Sequence, residues 1–301
     1  MKRPALLSLR AWRKRARELT EMYALPLCGA LLPWSLTRRL LARLAAHQSW
    51  YRDEVQPAEE YAHRAGFAPD RAAFGRRMRW RLLIEHMDGF LVPLRSRRYL
   101  QRWVRAEGDP LPEQGPVMFI GTHFGCGYWF LPLVREHGLP PNIVAPQLGP
   151  LLARSSLLQN IYSRMRHWLL TLATGRPLVY RGNAVAALTE LMRAGQVTFG
   201  LCDIPTNREN AVEVELCGRR TRLADNMFAL AARESVPVYL FMSDTELETG
   251  LRRVYFERAE GEPRAQVKQL ARLLDRHIQR DPSGWRFWSI APSFFPELAD
   301  P

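Results

Sequence analysis

A chain of 301 residues that is 47% hydrophobic, 24% charged and 10% aromatic can bury a large core and carries one or two domains. This composition excludes a disordered tail, a collagen-like fibre and a disulfide-stapled mini-protein. The formal charge is +13, with Lys2, Lys14 and Lys268 the only lysines among 43 basic residues. On charge alone the partner is a nucleic acid, an anionic membrane surface or an acidic protein or substrate.

Residues 1–17 hold seven basic residues and no acid. The apolar run from Tyr23 to Trp34 is 12 residues long and contains Pro26 and Pro33, well short of the ~20 residues a membrane span needs. No small-residue cleavage site follows, so a signal peptide is not indicated. The basic stretch SLTRRLLARLAAHQSWY comes next, and Leu36, Leu40, Leu41 and Leu44 are placed on one side of a helix. Residues 5–50 therefore read as a helical hairpin in a membrane interface, with Arg at the headgroups and Trp12, Trp34 and Trp50 at the boundary. The competing reading is a helix pair packed on the protein's own core.

Residues 58–106 read as helical, and GDPLPEQGP (108–116) as a loop. From there apolar runs and helical patterns alternate. VMFIGTH (117–123) is a strand and 127–138 a helix ended by Gly138. NIVAP (142–146) is a strand, 150–174 a helix, and PLVY (177–180) a strand. Residues 184–195 form a helix capped by Gly195, and VTFGLCD (197–203) is a strand. VEVEL (212–216) alternates like a half-exposed strand, 223–235 is a helix, and 236–243 and 252–259 are strands that pair. Residues 262–281 close the series as an amphipathic helix. The alternation implies an α/β fold with a central mixed sheet flanked by helices. The organisation is a basic amphipathic helical region (1–105) and an α/β domain (106–301), read as one continuous folding unit.

The strongest local feature is IGTHFGCGYW, where a strand ends at His123 and a glycine turn containing Gly125 and Gly127 opens a helix. Open α/β sheets place their sites at such strand ends. Backbone N–H groups in the turn can hold an oxyanion, and the histidine can take a proton from a hydroxyl. A core histidine in a glycine turn is the plainer alternative. The string is neither GxGxxG nor a Walker loop. Cys126 is placed as a small turn residue rather than a nucleophile, and the four cysteines (Cys28, Cys126, Cys202, Cys217) form no CxxC pair. That argues against a zinc ribbon or disulfide framework and for a reducing cytosol. Asp203 also follows an apolar strand, and Arg208, Arg219, Arg220 and Arg222 lie around it in an expected loop. They read either as a grip on phosphates or an acidic carrier, or as a solvated arginine face. The tryptophans of WRFWS (285–289) read as packing. No DNA or RNA motif is present, and aromatics are not interleaved with the basic run.

In order, RRMRWRLLIEHMDGF (76–90), THFGCGYWFLPLVREHGLPPNIVAPQLGPLLARSSL (122–157), RGNAVAALTELMRAGQVTFGLCDIP (181–205) and VEVELCGRRTRLADNMFALAARESVPVYLF (212–241) resemble the bacterial lipid A biosynthesis (late, lysophospholipid-type) acyltransferase family. The likeness covers about residues 20–290. It implies a glycerolipid acyltransferase-like fold with a membrane-associating N-terminal extension, peripheral or monotopic on the cytoplasmic side of an inner membrane. It implies transfer of a fatty acyl group from an acyl carrier protein or acyl-CoA to a lipid hydroxyl, without a cofactor or metal. His123 falls on the family's general base, and Arg181, Arg208, Arg219, Arg220 and Arg222 become substrate-binding candidates. The family motif has a carboxylate where this chain has Tyr128, and an arginine where it has Ala145. His123 is therefore expected to be oriented by another acid, with Asp203 the candidate. The alternative function is a non-catalytic relative that binds acyl chains or an acyl carrier protein.

Overall fold

The computed structural model describes residues 9–94, 97–125, 127–149, 157–180, 182, 184–206 and 211–299. The N-terminal layer holds α1 (Leu9–Leu19), a π-helical turn (Thr20–Ala24), α2 (Leu25–Leu31), α3 (Trp34–Leu44), α4 (Arg52–Arg64), α5 (Arg71–Leu94) and α6 (Arg97–Trp103). Then follow β1 (Val104–Gly108), β2 (Val117–Gly121), α7 (Phe130–Glu136), β3 (Asn142–Ala145), α8 (Leu157–Thr174), β4 (Val179–Tyr180) and α9 (Ala184–Arg193). The remainder is β5 (Val197–Leu201), β6 (Val212–Leu216), β7 (Arg219–Leu223), α10 (Asn226–Arg233), β8 (Val238–Thr245), β9 (Arg252–Arg258) and α11 (Pro263–Arg280), with 3₁₀ turns to Leu298.

The sheet has seven strands in the order β1-β9-β8-β2-β5-β3-β4, with β8 and β9 antiparallel and every other neighbour parallel. β2 is buried along its whole length, as a strand covered on both faces must be. The chain moves from β2 outward to β3 and β4, then returns to insert β5 beside β2. Parallel crossovers are right-handed, so the outward and return helices cover opposite faces. The packing agrees. Phe130 of α7 stacks on Phe199 and Phe241, whereas Met227 of α10 lies against Gly200, where an added Cβ would sit 2.4 Å from its methyl. Phe199 and Gly200 are consecutive and so face opposite ways. The reversal of direction falls between β2 and β5, and opens a crevice at their carboxyl ends.

Two strands lie where none was expected. Val104–Gly108, read as helix to residue 106 and as loop from residue 108, pairs in parallel with β9 from Val104↔Arg252 to Gly108↔Phe256; the ladder outweighs local propensity. Arg219–Leu223, read as loop, pairs antiparallel with β6. Its turn is Cys217-Gly218, with φ of 57° and 68°, the left-handed pair a tight hairpin requires. Arginines on its solvent face hid the alternation with buried Thr221 and Leu223.

The N-terminal helices divide between core and surface. Trp34, expected at a membrane boundary, is buried in the core, and Trp50 is half-buried against it. Trp12 is exposed. Leu36 and Leu40 face outward, but Leu41 is buried, because one further residue turns the side chain by about 100°. Leu19, Leu27, Leu31 and Leu32 extend the outward apolar surface. No helix among the described residues is long and apolar enough to cross a membrane.

One buried ion pair joins this layer to the sheet. Arg252 of β9 and Asp88 of α5 have no exposed side-chain surface. The guanidinium donates to both Asp88 oxygens at 2.7 and 3.2 Å, to Tyr99 Oη at 3.1 Å and to the Gly250 carbonyl at 2.9 Å. Its Cζ lies 4.1 Å from the Trp34 ring centre and 5.6 Å from that of Trp129, a cation–π cage. Removing one partner of such a pair strands a buried charge. Asp88→Asn is expected to lower the unfolding free energy by about 3–5 kcal/mol, read from guanidinium denaturation; a loss under about 1 kcal/mol, typical of exposed pairs, would contradict this assignment.

Candidate active site

Strand register builds the site. Gly121 and Leu201 are paired at the ends of β2 and β5, and Cys202 N–H donates to the Gly121 carbonyl at 3.0 Å. His123 and Asp203 each follow two residues later, so the ladder delivers them side by side. Asp203 is fully buried. Its Oδ2 accepts the His123 backbone N–H at 2.7 Å, and its Oδ1 lies 2.6 Å from Nδ1. With a carboxylate as partner the hydrogen is assigned to Nδ1, leaving the Nε2 lone pair free. The imidazole is about one-third exposed and lines a cleft of about 1520 Å³.

The turn after β2 is strapped by residues 284–287. Arg286 N–H donates to the His123 carbonyl at 3.0 Å, Phe124 bridges to Trp285, and the Phe287 ring lies 4.5 Å from the imidazole. Gly125 has φ of 61°, and a Cβ there would lie 2.1 Å from the Ser243 carbonyl oxygen, so only glycine fits. Its N–H donates to the Gly284 carbonyl at 2.8 Å. That corrects the oxyanion role expected of Gly125: its donor is already used. Gly127 is exposed and lines the cleft at the start of a 3₁₀ turn.

Tyr128 is buried, and its ring packs against Arg166 of α8. The guanidinium is 5.6 Å from the ring centre and hydrogen-bonded to the phenol. Gly89 of α5 lies close enough that a Cβ there would be 3.4 Å from the ring. The arginines expected around Asp203 are elsewhere. Arg219 pairs with Glu297 at 3.3 Å, Arg220 with Glu213 at 3.8 Å, and Arg222 sits opposite Glu213 in the hairpin. None of the three lines the cleft. Arg181, Arg208 and Cys126 lie outside the described residues. Cys202 is buried, and burial pushes its thiol up to about 12, so it is no thiolate nucleophile.

Charged side chains that the sequence did not single out also line the cleft: Glu54, Glu85, Arg166 and Arg286 near His123, and Glu190, Arg193 and Arg233 on α9 and α10. Arg286 ion-pairs with Glu85 and, at 2.8 Å, with Glu54. Burial opposes ionisation of Glu85, but Arg286 and then Arg166 outweigh it and hold the carboxyl below its ordinary value. Burial prevails at Glu54 and raises it despite Arg286. The remaining wall is largely apolar, with Leu131, Ile143 and Phe199 on the α7/α8 side and Leu188, Met227 and Leu230 on the α9/α10 side. Ala145 also lines it. No group of three metal-ligating side chains occurs among the described residues. Compared with known proteins, the chain matches no family model, and no curated protein aligns with it significantly.

Behind Glu85, His86 stacks on Tyr162 with ring centres 5.6 Å apart and lies 3.4 Å from Tyr51 Oη. Burial pushes His86 down to about 4, against about 6.5 in an unfolded chain. The unfolded state therefore takes up the proton first. The stability is complete above about pH 6.5 and is lost as pH falls toward 4. The advantage of wild type over His86→Gln is expected to shrink by about 2–3 kcal/mol between pH 7 and 4.5, measured by denaturation at each pH; a constant difference would mean His86 titrates normally.

Proposed function

We propose that this protein is a membrane-associated acyltransferase, a divergent member of the lipid A biosynthesis acyltransferase family. It moves a fatty acyl group from an acyl carrier protein or CoA thioester to a lipid or lipid-like hydroxyl. The carrying observation is the Asp203 carboxylate on both the backbone N–H and Nδ1 of His123, at the mouth of a largely apolar cleft. That cleft is larger than the ~300–1,000 Å³ of ordinary small-molecule sites.

In this reading Nε2 of neutral His123 takes the acceptor's hydroxyl proton as the oxygen attacks the thioester carbonyl. The imidazolium that forms is stabilised by Asp203, which stays ionised. Collapse of the tetrahedral intermediate breaks the C–S bond. The thiolate leaves and takes the proton back from Nε2, giving an ester and a free thiol. Gly127, which lines the cleft at the start of a 3₁₀ turn, is the candidate donor to the oxyanion. Asp203 thus fills the orienting role that Tyr128 cannot.

The test is transfer from labelled acyl carrier protein and acyl-CoA into a bacterial lipid extract. His123→Ala is expected to abolish product, and Asp203→Asn to reduce turnover by on the order of 10³–10⁴, as for a mis-oriented histidine in serine proteases. Full activity in a folded His123→Ala protein would overturn the mechanism. No product from wild type would favour an acyl-chain or carrier-protein binding role.

Docking on an anionic membrane surface, in this reading the cytoplasmic face of an inner membrane, draws on the outward Leu31, Leu32, Leu36 and Leu40 and the +13 charge, the combination that holds interfacial helices on anionic lipid; the membrane and the side come from the family resemblance alone. Leu31→Asp with Leu36→Asp is expected to weaken co-sedimentation with anionic vesicles tenfold or more while leaving the melting temperature within about 2 °C, since surface changes shift stability little. Unchanged vesicle binding would remove this face from the docking surface.

A further inference from the structure

Arg166 is a cation on the cleft wall with no ion-pair partner among the described residues. Its side chain is exposed to the cleft, and its direct contact is the Tyr128 phenol. The neighbouring acid, Glu85, is engaged by Arg286, which also holds Glu54. Arg286 in turn is fixed beside the dyad by its N–H to the His123 carbonyl. The wall next to His123 therefore carries two guanidiniums, and of these Arg286 alone is in direct contact with a carboxylate among the described residues. A guanidinium in a recess with apolar walls favours an anion strongly, and the sheltered setting strengthens the attraction. A carboxylate at position 128 would neutralise Arg166 from within. Tyrosine positions the guanidinium and leaves its charge available.

We propose that Arg166, held by Tyr128, binds an anionic oxygen group, phosphate or carboxylate, carried by the acceptor near the hydroxyl that His123 deprotonates. The word acceptor rests on the acyl-transfer reading; the anion site does not. Binding is therefore the readout. A monoacylglycerol, a monoacylglycerol phosphate and a free fatty acid of one chain length are titrated, each below its micelle concentration, into the full-length protein by calorimetry.

Wild type is expected to bind at least one anionic amphiphile tenfold or more tighter than the neutral one, and which of the two names the anion. Arg166→Gln should bring that amphiphile to the neutral level, and Arg166→Lys should restore part of the preference. Tyr128→Glu, which supplies an internal carboxylate, should also abolish it. Equal wild-type affinity for all three overturns the site. So does an Arg166→Gln protein that weakens all three alike, the signature of a structural role. Inorganic phosphate titrated alone separates a lipid-borne anion from a free one. Binding as tight as that of the amphiphile phosphate would overturn the acceptor assignment. Anion preference in a protein that transfers no acyl group would leave the site standing and sink the acyltransferase reading.

Discussion

Arg252 and Asp88 are both withdrawn from water, so each depends on the other and on the Trp34 and Tyr99 rings around them. This pair fixes α5 against the sheet, and α5 contributes Glu85 to the cleft wall. Arg81, Glu85 and Asp88 lie at i, i+4 and i+7, a single helix face. Arg81 ties the helix to Asp244 and Asp281 at 2.6 Å each. Asp88 locks it to β9, and Glu85 between them reaches the cleft. Gly89 follows and gives the Tyr128 ring room. Trp129 stacks on Tyr99 within the same cage, so the turn that bears Tyr128 is anchored by the ion pair that sets the helix opposite.

The cleft inherits a division from the winding of the sheet. The face covered by α7 and α8 brings charge to its wall through Arg166, with Glu85 contributed by α5. The face covered by α9 and α10 presents Leu188, Met227 and Leu230 together with Glu190, Arg193 and Arg233. His123 and Asp203 stand at the carboxyl edge between the two faces, where β2 and β5 end.

Much of this was legible in the sequence, for identifiable reasons. Apolar runs marked the central strands, and His123 and Asp203 were conspicuous because each closes such a run. Their contact follows from the parallel register of β2 and β5, which no local pattern reveals. Arg166, Glu85 and Arg286 were missed because each lies in a segment that reads as helix or packing, where a charge looks like the solvated side. Charges embedded in RWRLLIEHMDG were the available signal, since an apolar helix does not carry them unless they are paired. The arginines at 219–222 misled for the opposite reason: their density suggested a ligand, but a strand partner rich in glutamate answers them.

The strap across the turn after β2 makes the site a late product of folding. The backbone bonds from Arg286 to His123 and from Gly125 to Gly284 join segments about 160 residues apart, and closing so long a loop is delayed until the intervening strands and helices are in place. During synthesis His123 leaves the ribosome long before the residues that brace it. A nascent chain therefore holds its histidine and aspartate without the finished turn, and the braced histidine–aspartate geometry arises only once the tryptophan-rich segment has docked.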